Sequence, residues 1–186
     1  MAKKTLDIRN YMPQANETFL LDTSVLIPVF TEMDIAFHQE SYAKFFYEIL
    51  KKKKIKPVIT TLLLSELFNR YLQFHFKSYC KSNNLPHLNF KRDYRTTSDY
   101  TEKMKAIVSI AKEDIFPFFL KVDDGFKCID TEKLLEIDTF YDFNDKMIAG
   151  LCISNNYTLI TDDADFGQMR KRPKILTANS ALLVFQ

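Results

Sequence analysis

The sequence predicts an α/β fold built on a parallel sheet covered on both faces, and three observations predict it. Short apolar runs, two of them ending in acidic residues, alternate with stretches of helical periodicity. Only three Gly and six Pro punctuate 186 residues, which excludes a strand-rich fold held by Gly turns. A 46% hydrophobic, 14% aromatic composition supplies the core of one compact domain and excludes a disordered or collagen-like chain.

Residues 18–22, TFLLD, read as a buried strand that turns into a helix at TSVLIPVF. Over 34–54, Phe37, Tyr42, Phe45, Phe46, Ile49 and Leu50 recur at near-helical spacing, and Lys56-Pro57 ends the segment. The next strand falls at 56–60, and Thr60 or Thr61 caps a helix running to about Tyr79. Residues 81–97 lose periodicity and read as a loop, after which Ser98 or Asp99 caps a helix to about Ile110. A third strand is expected at 126–129, then a short helix at TEKLLEI and a helix from Phe143 to Ser154 capped by Asp142. Strands at 157–161 and 174–177 complete five, and NSALLVF forms a terminal helix or turn. One domain spanning 1–186 is expected, with a helical or loop elaboration around 75–125.

No apolar run approaches the ~18 residues that span a bilayer, and the first residues lack a secretory apolar stretch. Cys80, Cys128 and Cys152 are too far apart for a disulfide framework or a zinc pattern. The expectation is a soluble, reduced, cytoplasmic protein. Its net charge of +2 conceals a segregation: residues 70–105 sum to +5 and residues 113–145 to −7. That asymmetry points to a polyanionic partner and a cation-binding region.

Four carboxylates carry the chemical argument. Asp22 and Asp163 each follow an apolar strand, and in a parallel sheet all strand C-termini share the edge where ligands bind. Asp145 heads a helical row with Ile148, Ala149 and Cys152, and Glu66 sits among Leu62, Leu63, Leu67 and Tyr71. Each has a plainer reading: a helix cap for Asp22, a favourable N-terminal charge for Asp145, an i,i+4 pair with Arg70 for Glu66. Together, carboxylates on one buried edge repel each other unless a cation compensates. Hard Mg²⁺ or Mn²⁺, one or two ions, is the compensator that oxygen ligands favour, and its water can attack a phosphodiester. His38, His75 and His87 have no partners at zinc-ligand spacing and read as surface or packing residues.

The segments FLLDTSVLI, TLLLSEL, DKMIAGL and TLITDDADF, in that order, resemble the successive motifs of the PIN domain, most closely of the VapC-type toxin ribonucleases. The resemblance implies a three-layer sandwich with a mainly parallel five-stranded sheet, and a Mg²⁺- or Mn²⁺-dependent endoribonuclease. It assigns catalysis and metal ligation to Asp22, Glu66, Asp145 and Asp163, with Asp165 as an additional metal ligand. Ser24 and Thr161 match small hydroxyl positions beside the acids. Asp142 and Asn144 precede the third motif, where they cap its helix or orient Asp145; Asp162 takes the variable place in T-x-D. As partners it implies an RNA substrate, a small antitoxin whose peptide blocks the acidic cleft, a homodimer, and no membrane. Two other classes are open at this point: a catalytically inert PIN-like module binding RNA or protein, and a phosphoacceptor signalling domain, which would give Glu66 and Asp145 no role.

The basic block interleaves Lys and Arg with Tyr71, Phe74, Phe76, Tyr79, Phe90 and Tyr94. Tyr71, Phe74 and Phe76 read as core. Lys91, Arg92 and Arg95, in the loop, are the candidate RNA contacts. The Lys51–Lys54 run reads as a solvated helix end.

Overall fold

The computed structural model describes residues 5–33, 38–137 and 141–185. Its strands are β1 (Thr5–Asp7), β2 (Phe19–Leu21), β3 (Val58–Ile59), β4 (Leu120–Lys121), β5 (Thr158–Ile160) and β6 (Lys174–Thr177). They form one six-stranded sheet in the order β1-β6-β5-β2-β3-β4, and every pairing is parallel. Helices α1 (Thr23–Phe30), α2 (Gln39–Lys44), α3 (Thr61–Ser82), α4 (Ser98–Ile110), α5 (Thr131–Leu134), α6 (Phe143–Asn155) and α7 (Ser180–Leu183) flank it.

All three residues of β2, and all three of β5 beside it, are buried. Unbroken burial rather than alternation is what a central parallel strand requires when both faces are covered. Leu20 lies level with Val58 on one side and Leu159 on the other, which fixes the register at the centre of the sheet. Beyond β3, the rings of Phe30, Phe46 and Phe119 close the core with centroids 4.9–5.7 Å apart.

The expected α/β class and parallel sheet are present, with corrections at the edges. Residues 126–129 are not a strand. Gly125 takes a left-handed φ of 68° and turns the chain into a 3₁₀ turn over Phe126–Cys128, with Phe126 exposed. The strand lies upstream, at Leu120–Lys121, where two exposed residues on the sheet edge carry no apolar pattern to read. β1 was equally silent, being three residues long with only Thr5 fully buried.

The helix expected over 34–54 begins, within the described residues, at Gln39 and widens into a π turn over Phe45–Lys51; Phe37 lies outside the described residues. Thr97, rather than Ser98 or Asp99, caps α4, its Oγ1 accepting from Tyr100 N at 3.1 Å. The 81–97 loop is anchored by the fully buried Tyr94, packed against Phe76, Tyr79, Phe90 and Tyr100. Tyr71 is core as expected, whereas Phe74 is exposed, one edge against His75.

Candidate active site

Because every strand runs the same way, the residues that follow them meet at one edge of the sheet. Asp22 follows β2, Thr60 follows β3, Asp124 lies three residues past β4, and Thr161–Asp163 follow β5. Asp22 is buried, and its carboxylate is held from several directions. Oδ1 accepts from Thr23 N at 2.7 Å; Oδ2 accepts from Ser24 Oγ at 2.6 Å and Thr161 Oγ1 at 2.9 Å. The same two hydroxyls accept in turn from Asp162 N (3.1 Å) and Asp163 N (3.0 Å), so the β5 exit is tied to Asp22. Ser24 and Thr161 thus sit where the sequence placed them, beside the first acid.

Asp145 stands in the first turn of α6, where Asp142 Oδ1 accepts from Asp145 N at 2.9 Å and Asp145 Oδ2 accepts from Asp142 N at 3.3 Å. This capping box satisfies two otherwise orphaned donors. Burial pushes the Asp145 carboxyl up to about 7, and the charges of Asp142, Asp163 and Asp22 add to the effect. Asp163 is raised by burial and by Asp22 and Asp165. Glu66 is raised by burial, with Asp22 and Asp142 adding to the rise; a hydrogen bond from Thr23 and the charge of Arg70 oppose it. Glu66, Asp145 and Asp163 each feel the charge of Asp22 across one edge.

Glu66 Oε1 is 2.8 Å from Arg70 Nε, as the i,i+4 spacing allowed. Arg70 also lines a cavity of about 220 Å³ with Thr23, Ser24, Ile27, Pro28, Asp162 and Asp163. Asp165 is exposed, its N–H donating to Asp163 Oδ1 at 2.9 Å. Asn144 is half-buried in the first turn of α6.

The donor set fits a hard divalent cation, being all oxygen and crowded, and the burial and neighbouring charge that raise Glu66, Asp145 and Asp163 are what a positive charge would relieve. Among the described residues, however, no three His, Cys, Asp or Glu side chains converge closely enough to hold an ion. Glu66 leans to Arg70 and Asp145 folds back on the Asp142 amide. The four acids expected to share one cleft lie at the same edge of the sheet, but as placed their side chains do not form a coordination set.

Three features escaped the sequence. Asp124 accepts from Leu62 N at 3.0 Å and from the Thr61 hydroxyl, fixing the start of α3; its strand had been placed downstream. Asp162, at the variable place in T-x-D, is half-buried: its Oδ1 meets His38 Nδ1 at 2.9 Å and the Tyr42 hydroxyl at 2.7 Å. Tyr42, fully buried, also accepts from Ala178 N at 3.0 Å, binding the ends of β5 and β6 together. Tyr42→Phe leaves that amide unpartnered, a loss of about 1–3 kcal/mol. It is expected to lower the thermal midpoint by roughly 2–4 °C per kcal/mol, which a melting curve by circular dichroism measures.

The candidate RNA contacts lie elsewhere. Arg92 pairs with Asp93 at 2.8 Å, Arg95 lies over the Phe90 ring at 5.4 Å, and Lys91 is exposed. Their loop packs on Phe76 and Tyr79, ten to thirteen residues along α3 from Glu66, or about 15–20 Å.

A parallel α/β sheet with carboxylates gathered at its C-terminal edge presents an acidic edge where such folds bind ligands. The PIN domain family profile matches residues 19–172, and the chain belongs to that family. PIN domains are generally nucleases that bind nucleic acid and use divalent metal ions. No curated protein matches the chain by sequence. No helix of the described residues is long and apolar enough to cross a membrane.

Proposed function

We propose that this protein is a Mg²⁺- or Mn²⁺-dependent endoribonuclease, the toxin of a toxin–antitoxin pair. The observation that carries the reading is the edge cluster of Asp22, Glu66, Asp145 and Asp163, three of whose members are raised by burial and by one another's charge. Asp22 and Asp163, presented from adjacent strand ends and locked by Ser24 and Thr161, form the rigid half of the ligand set. Glu66 and Asp145, on α3 and α6, form the half that turns inward. Asp165 stands at the rim as a further ligand. A divalent cation bound there lowers the pKa of a water and neutralises charge on the phosphate. Arg70, lining the cavity, offers its remaining guanidinium N–H groups to a phosphate oxygen. A small antitoxin covering the cleft, a homodimer and a cytoplasmic location complete the proposal, with the whole chain acting as one domain.

Hydrolysis by water, not by the ribose 2′-hydroxyl, sets the products. Single-stranded RNA incubated with the protein and Mn²⁺ is expected to be cut internally, leaving a 5′-phosphate and a 3′-hydroxyl, and EDTA is expected to stop the reaction. End-labelling of the fragments reads both. Products ending in a 2′,3′-cyclic phosphate, or cleavage that survives EDTA, overturn the mechanism. The second reading, an inert module that binds RNA or protein, draws on the Glu66–Arg70 pair; it predicts no cleavage under any divalent cation.

A further inference from the structure

The acidic edge creates a problem for an RNA ligand: its carboxylates repel the phosphate backbone that the site has to receive. Affinity has to come from cations placed elsewhere. In the 91–95 loop Arg92 is paired with Asp93, and the loop lies about 15–20 Å along α3 from Glu66. The opposite, N-terminal edge of the sheet is different. There Lys56-Pro57 lead into β3 and Pro117–Phe119 into β4, and between them opens a cavity of about 260 Å³. Phe46, Ile55, Pro117 and Phe118 give it apolar walls, and Lys51, Lys54 and Lys56 line it too.

Five lysines occupy the six positions 51–56, and all are exposed. Among the described residues no carboxylate pairs with any of them: Lys53 and Lys56 donate to the carbonyls of Pro13 and Pro117, and Lys51 lies 4.2 Å from the Phe118 ring centroid. The nearby acid Asp114 acts instead on the Tyr47 phenol. Lys54 is also held at φ 57°, a left-handed conformation in which glycine or asparagine would be at ease.

We propose that this groove is a second RNA-binding site, in which Lys51 swings off the Phe118 ring to admit one unpaired base and, with Lys54 and Lys56, holds the phosphates on either side. Aromatic walls interleaved with cations are the elements of a single-strand platform. The inference rests on the nuclease reading for its choice of ligand. Lys56 and Thr60 lie about 13 Å apart along β3, but β3 is buried, so a strand joining the two edges passes around the sheet, a longer path that an oligonucleotide covers and a trinucleotide does not. One RNA can therefore engage both edges, and the second contact gains from effective concentration.

The test uses the full protein in EDTA, so that binding is read without cleavage, with a fluorescent single-stranded oligoribonucleotide long enough to reach around the sheet. Lys51→Ala with Lys54→Gly is expected to weaken binding roughly tenfold at low salt and to reduce the slope of log affinity against log salt by about 1.4, two contacts at ~0.7 each. Lys54→Gly relieves the left-handed backbone, so the loss is not one of folding. Phe118→Leu is expected to weaken binding with the salt slope unchanged. Cleavage of a trinucleotide, too short to reach the groove, is expected to be the same in all of them. If the protein cleaves nothing, the binding result still decides the groove. Unchanged affinity and slope in the lysine variant overturn the proposal. So does a variant that keeps RNA binding but loses binding to a Glu–Tyr copolymer, which would assign the groove to an acidic protein partner.

Discussion

Asp22→Asn and Asp163→Asn are each expected to lower the rate of RNA cleavage by roughly 10²–10³-fold, the range for removing one electrostatic stabiliser from a reaction centre. The size follows from position. Asp22 is buried, caps α1 and takes hydrogen bonds from Thr23 N, Ser24 Oγ and Thr161 Oγ1, so its carboxyl group is positioned before any ligand arrives. Asparagine retains a capping oxygen for Thr23 N, and the fold is expected to survive, as a melting curve would show. What asparagine cannot supply is the negative charge. Ser24→Ala and Thr161→Val act through Asp22 and are expected to cost less, about 10–100-fold, the range for groups that orient a ligand. A rate of RNA cleavage in Mn²⁺ within a few-fold of the parent for Asp22→Asn would remove this edge from the chemistry.

The ordering of those effects also explains what the sequence made legible. Asp22 and Asp163 were readable because each ends a strand whose every residue is buried, and burial on both faces leaves an apolar run of the right length with an acid after it. Asp145 was readable from its helical row, since Ile148, Ala149 and Cys152 are indeed buried beneath it. The edge strands were not readable: β1 and β4 have three and two residues, and β4 is exposed throughout. Pairing with a neighbour defines such strands, and pairing leaves no mark on local composition.

The Asp162–His38–Tyr42 group was hidden for a related reason. Asp162 is 120 or more residues from His38 and Tyr42, and only the adjacency of the β5 and β6 ends brings the phenol to it. The 126–129 error shows the converse, an apolar FKCI that looks like a strand until Gly125 turns the chain. The Lys51–Lys54 run does form a solvated helix end, following Phe45–Lys51, and composition alone does not show the aromatic groove beside it. Phe118, which supplies that groove, arrives from a segment more than sixty residues later.

Asp145 gives a second large effect, on stability. Burial, then the charge of Asp142, then those of Asp163 and Asp22, push its carboxyl to about 7, against 3.8 for the free group. The folded state therefore binds this proton more tightly than the unfolded chain does. The stabilisation it brings is fully present below the unfolded value near 4 and is lost as the pH rises through about 7. Discounted for the water that this half-buried carboxyl still meets, the loss is about 1–2 kcal/mol, or roughly 2–4 °C of thermal midpoint per kcal/mol. Asp145→Asn keeps an oxygen for the Asp142 amide and has nothing to ionise. Melted in EDTA, it is expected to match the parent near pH 4 and to exceed it by several degrees at pH 8; measuring the difference between the two proteins cancels the other titrating groups. Manganese is expected to narrow that gap at pH 8 by stabilising the parent, because a ligand that binds only the folded state raises its stability by mass action. Parallel midpoints across the whole pH range, with and without manganese, would mean that Asp145 feels neither its acidic neighbours nor the cation.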